Sequence, residues 1–168
     1  MAFLNIQPIK FRAVLCRVLV GSTLISSSQM WAQTKTCAVP TSVKDEKYIP
    51  GQVWSYKARE GEEHSILTIL RVESTPKLGV IIHVRIDGIQ FKNCTGGPAP
   101  QHLGHAPFNK DAIDKSVIKL LRTEAVLPDY ADGYQDWLSH CGGVYTISVA
   151  KMIDLDEATF SSALGCKA

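Results

Sequence analysis

Four cysteines, Cys37, Cys94, Cys141 and Cys166, constrain this chain more than anything else in it, because the residues ahead of them read as an export leader. Lys10, Arg12 and Arg17 form a basic region, residues 18–25 (VLVGSTLI) a short apolar run, and mostly small or polar residues lead to Trp31-Ala32. That is the layout of a secretory signal peptide. Residues 1–32 are therefore expected to be removed and the rest to fold where thiols oxidise. An uncleaved anchor is the competing reading. Only 17 uncharged residues lie between Arg17 and Lys35, and the later ones are Ser, Gln, Thr and Trp. A spanning helix needs about 20 largely apolar residues, so no membrane attachment is expected after cleavage.

Removing the leader also removes Cys16, and an even set of four in an exported domain reads as two disulfides. Three pairings exist. Cys94 precedes Thr-Gly-Gly and Cys141 precedes Gly-Gly, so both sit where the chain turns. Cys37 and Cys166 lie near the mature termini, which commonly meet at a domain surface. The expected pairs are Cys94 with Cys141 and Cys37 with Cys166. No Cys-x-x-Cys spacing occurs, so no metal centre and no cofactor is expected from these residues.

The leader carries three of the 18 basic residues and none of the 16 acidic ones, which leaves the mature chain at a net charge of −1. No basic patch remains to neutralise phosphates, so nucleic acid is not an expected partner. The mature length suits one domain with a real core. Residues 33–50 are polar and hold two prolines, and read as an extended arm; residues 51–168 read as a single α+β domain.

Within that domain, residues 53–58 alternate, 65–73 are rich in Ile, Leu, Thr and Val, and 80–92 alternate again, with a phase change at Gly88 that suggests a β-bulge. Residues 94–107 read as a Gly/Pro-rich loop. Asn109 reads as the N-cap of a helix with Phe108 and Ile113 as its hydrophobic staple and Ile113, Val117, Leu120 and Leu121 as its buried stripe. A second helix follows Asp129, with a stripe of Tyr130, Tyr134, Trp137, Leu138 and Cys141. Residues 144–149 (VYTISV) read as a fourth strand and 150–162 as a C-terminal helix. The expectation is an antiparallel sheet of about four strands, in the order β-β-β-α-α-β plus a helix, with the helices on one face.

Candidate chemistry centres on histidine. His102-Leu-Gly-His105 has a metal-like spacing, but the surrounding prolines and glycines deny it a helix, and no glutamate stands beside it as a general base. His83-x-Arg85-x-Asp87 shares one strand face, where His and Asp could act as a base and its orienting group; a solvated strand face gives the same pattern. His140 beside Cys141 would be a dyad only with a free thiol. Nucleophile elbows, phosphate loops and calcium loops are missing from the sequence. The charged hairpin from Lys57 to His64, with Arg59, Glu62 and Glu63, offers an exposed feature of the size a partner could grip.

The run Gly51-Gln-Val-Trp-Ser-Tyr-Lys-Ala-Arg-Glu-Gly-Glu-Glu, the strand Val80-Ile-Ile-His-Val, and Gly104-His-Ala-Pro-Phe-Asn leading to Ala-Ile-Asp-Lys-Ser-Val together resemble a family of small exported bacterial proteins of uncharacterised function. The resemblance implies a bacterial source and a periplasmic address. It implies no activity, cofactor or catalytic residue. The expectation is a periplasmic protein that binds another protein, as an inhibitor or immunity-type partner. The alternative is a small periplasmic hydrolase using His83 or the His102/His105 loop.

Overall fold

A computed structural model describes residues 37–166; the expected leader and its cleavage point lie outside them. The described residues form an α+β fold in which a six-stranded sheet is flanked by three helices and tied by two disulfides. In chain order the elements are β1 (Thr41–Ser42), β2 (Gln52–Tyr56), β3 (Ile66–Thr75), β4 (Gly79–Asp87), β5 (His102–Asn109), α1 (Lys110–Ser116), β6 (Val117–Thr123), α2 (Ala131–Ser139) and α3 (Val149–Ala163). The sheet runs β5-β4-β3-β2-β6, with the short β1 also paired to β3, and every strand pair is antiparallel.

Alternation along β2 to β5 places Trp54, Tyr56, Leu67, Ile69, Val72, Ile82, Val84, Ile86, Ala106 and Phe108 in one core. Residues Ala112 and Ile113 of α1, and Val149, Met152 and Ile153 of α3, join it. Asn109 caps α1 as expected, its Oδ1 accepting the Ala112 N–H at 2.9 Å, and Phe108 and Ile113 are both fully buried. The opposite sheet face is not left to solvent. The histidine of β4 on that side stacks edge-on against Tyr134 and Trp137 of α2. The helices therefore do not share one face: α1 and α3 cover the apolar side, α2 the polar side.

Several expectations need correction. The strand count is six, not four. Residues 102–109 are an edge strand rather than a loop; an edge tolerates Pro107 because its outward side needs no ladder donor. The helix beginning at Lys110 stops at Ser116, and the chain turns into β6 to pair with β2. Val117, Leu120 and Leu121 thus form no helical stripe, and Leu120 and Leu121 are exposed. Residues 144–149 make only one bridge, Tyr145 to Phe108, before Ser148 caps α3 by accepting the Lys151 N–H. No bulge lies at Gly88: β4 ends at Asp87, and the irregularities of that strand fall between Val84 and Ile86 and opposite Ile69 to Arg71.

The disulfides pair differently too. Cys37 joins Cys141 and Cys94 joins Cys166, with Cα–Cα separations of 5.0 and 6.0 Å. Both C-terminal partners close helices. Cys141 sits just past α2 at a φ of 51°, with its N–H on Leu138 O and the Gly142 N–H on Trp137 O. Gly165 and Cys166 repeat that pattern past α3, on Ser162 O and Ser161 O. These are Schellman ends, and each bridge fixes one helix terminus to a loop. Termini proximity favoured the wrong partners because the arm at Cys37 runs to the end of α2, not of α3.

Candidate functional site

The polar sheet face gathers titratable side chains around a buried histidine. Arg71 and Glu73 project from β3, His83 from β4, His105 from β5 and Tyr134 from α2. In an antiparallel sheet, Arg71 is in register with His83, which puts their side chains on one face. His83 is fully buried and Glu73 is 1 % exposed. The His83 Nδ1 lies 2.9 Å from His105 Nε2, with the two rings stacked. On its other side His83 Nε2 lies 3.3 Å from Glu73 Oε2, out of hydrogen-bond alignment and without another partner. Tyr134 Oη donates to both carboxylate oxygens at 3.0 and 3.2 Å, and Arg71 Nη2 donates to Oε1 at 2.5 Å.

A carboxylate only accepts, so a proton on His83 Nε2 would face Glu73 and leave Nδ1 to accept from His105. Both imidazoles are neutral. Burial, with the neighbouring His105 and Arg71 adding to it, pushes His83 down to about 3. Burial also lowers His105, against the pull of Glu73. Burial and the hydrogen bond to Glu73 raise Tyr134. The chain His105–His83–Glu73 has the form of a base with its orienting groups, yet the middle histidine is sealed under Trp137, 4.9 Å away between ring centroids. Gly133 leaves α2 close enough that any side chain there would strike the His105 Cβ. The adjoining cleft, about 280 Å³, is lined by Trp137, Leu138, Thr75, Leu78 and the Cys37–Cys141 bridge, not by the histidines.

The remaining candidates fall elsewhere. His102 starts β5, exposed, opposite Asp87, while His105 is paired with His83. His83, Arg85 and Asp87 share a face as expected, but Asp87 binds Arg85 rather than orienting His83. His140 bonds the Asp136 carbonyl, and its neighbour Cys141 is oxidised. No group of three or more ligating side chains able to hold a metal occurs among the described residues.

The charged hairpin is largely an internal tie. Arg59 donates to Glu62 and to Glu157 of α3, while Glu62 accepts the Gln90 N–H at 2.6 Å and Glu157 the Lys92 N–H at 2.5 Å. Glu62 is 4 % exposed. Burial alone would raise its carboxyl, but Arg59 and the Gln90 N–H outweigh that and hold it lowered. Of Arg59, Glu62 and Glu63, only Glu63, turned to the Gly61 N–H, is exposed.

Glu73 and Arg71 were not singled out in the sequence, and Tyr134 and Trp137 only as part of a helical stripe. The available signal was a lone carboxylate inside the apolar run of β3. Also missed was the surface of β6, where Ile118, Leu120 and Leu121 are 64, 40 and 44 % exposed. Comparison with protein-family models, with curated proteins and with solved structures returned no match.

Proposed function

We propose that the chain is an exported, periplasmic, non-catalytic protein that acts by binding another protein, as an inhibitor or immunity-type partner. The observation that carries this reading is β6, a strand at the sheet's edge that keeps three apolar side chains in water within four residues. Single exposed leucines are ordinary, but a contiguous apolar edge is what free-standing sheets avoid. Export is supported by the leader pattern together with two disulfides, which persist in oxidising compartments. No helix among the described residues is long and apolar enough to cross a membrane. The hydrolase alternative would need solvent and substrate at His83, which has neither exposure nor a cleft opening on it.

Arg59, Glu62 and Glu63 remain candidates for contact only through Glu63, since the first two hold the fold together. Capture of partners from periplasmic extract by the tagged mature protein tests the reading. His102→Ala and His105→Ala, checked for native melting, are expected to keep wild-type yield of the same partner. Leu121→Glu is expected to lower it about tenfold or more, as loss of an apolar anchor does. Loss of function in a folded histidine variant, with Leu121→Glu unaffected, would favour the enzyme.

A further inference from the structure

We infer that the open edge of β6 accepts an extended segment of the partner, alternating acidic and apolar residues, as an added strand of the sheet; the inference rests on the binding reading above. One side of β6 pairs with β2 and, among the described residues, no strand pairs with the other. The opposite end of the sheet is less available. There Tyr145 occupies the outer side of β5, its N–H on Pro107 O at 2.9 Å and its C=O taking the Asn109 N–H at 3.0 Å. A strand added at β6 would satisfy backbone groups that otherwise face water, and its side chains would meet those of β6.

Those side chains define the occupant. Ile118 and Leu121 have no register partner on β2, because the pairing shifts between Val53 and Trp54 and between Ser55 and Tyr56. They are the bulged residues, exposed and unsupported by a neighbouring strand. Interleaved with them is Lys119, and Lys57 and Lys115 flank the strand; all three are exposed and join no ion pair among the described residues. Arg122 is already engaged by Glu124 at 2.6 Å. The edge is therefore apolar and cationic on a mature chain that is net acidic.

That combination argues against a second copy. Antiparallel pairing of two β6 strands about Leu120 would set Lys119 of each diagonally across the seam. Like charges across a strand pair are destabilising, and lysine on an edge is a common device against self-pairing. The same lysines favour carboxylates on an incoming strand. They deter the chain from itself and select an acidic partner.

The test is titration of the isotopically labelled mature protein with a synthetic peptide of alternating Glu and Val, as long as β6, and with its Lys–Val counterpart. The Glu–Val peptide is expected to shift the amides of Val117–Thr123 and to bind about three- to tenfold more tightly than the Lys–Val peptide at low salt, the difference shrinking as salt rises. Lys119→Glu, at an exposed position, is expected to reduce or reverse that preference while amides outside β6 stay native. Equal binding of both peptides, shifts outside β6 only, or the same shifts produced by raising the concentration of the protein alone would overturn the acidic-strand mode. If the Glu–Val peptide fails while Leu121-dependent capture of a partner persists, the mode falls and the binding reading stands. If both fail, both fall.

Discussion

Between pH 6.5 and 4.5 the folded protein is expected to lose stability on acidification, His83 alone contributing up to about 1.4 kcal/mol per pH unit, and His83→Asn to flatten that slope. The sign follows from where the proton goes. Unfolded, His83 titrates near its ordinary 6.5; folded, burial holds it down to about 3. Between those values the unfolded chain binds more protons than the folded one, so stability rises with pH and is lost on acidification. His105, also lowered, works in the same direction. The groups facing His83 are Arg71 and Glu73 of β3, His105 of β5, and Tyr134 and Trp137 of α2. The lowered carboxyls of Glu62, Glu157, Asp45 and Asp114 add to the loss only below about 4.5, and the carboxyl of Asp156, raised by burial, opposes it. Urea unfolding at a series of pH values measures the slope. Asn at position 83 will cost stability by itself, so the informative quantity is the slope and not the midpoint. An unchanged slope would mean that His83 is not buried neutral.

Breaking either disulfide is expected to cost about 2–5 kcal/mol, which for a domain of this size is a fall in Tm of roughly 8–20 °C. The sequence separations are 104 for Cys37–Cys141 and 72 for Cys94–Cys166, both long loops in which the unbridged unfolded chain has much entropy to regain. Their local consequences differ. None of the residues of α2 is fully buried, so its hold on the sheet depends on Tyr134, Trp137 and the bridge at its end. The double variant Cys37→Ala/Cys141→Ala is therefore expected to speed amide exchange in α2 and expose the histidine cluster. Cys94→Ala/Cys166→Ala should instead loosen the end of α3 and leave α2 protected. Calorimetry with hydrogen exchange on the two variants decides between these patterns. Peptide mapping that links Cys94 to Cys141 would refute the pairing outright.

The meander β2–β3–β4 was legible because its alternation and turns agree, and Asn109 was legible as a cap because its side chain acts locally. What failed depends on tertiary partners. Val117, Leu120 and Leu121 fit a helical stripe in spacing alone, yet Val117, Lys119, Leu120 and Arg122 find β2 beside them and pair there. Gly104 and Pro107 punctuate β5 as they would a loop, and only an edge position reconciles them with a strand. His83 stands among Arg85 and Asp87 on a face that reads as solvated. No local pattern announces that α2 will fold over that face and turn a surface histidine into a buried one. The same blindness hid the site: the residues around His83 come from three other elements, β3, β5 and α2, and the exposed edge of β6 follows from a strand where the spacing suggested a helix.

The central claim is that the edge of β6, not the histidine cluster, makes the protein's contacts. Photocrosslinking in intact cells tests it most directly, with a photoreactive amino acid placed singly at Leu121 on β6, at Tyr134 over the histidines and at Leu155 on the exposed side of α3. The account predicts one discrete adduct with another protein from position 121 and none from 134 or 155. An adduct from position 134 with none from 121 would contradict it.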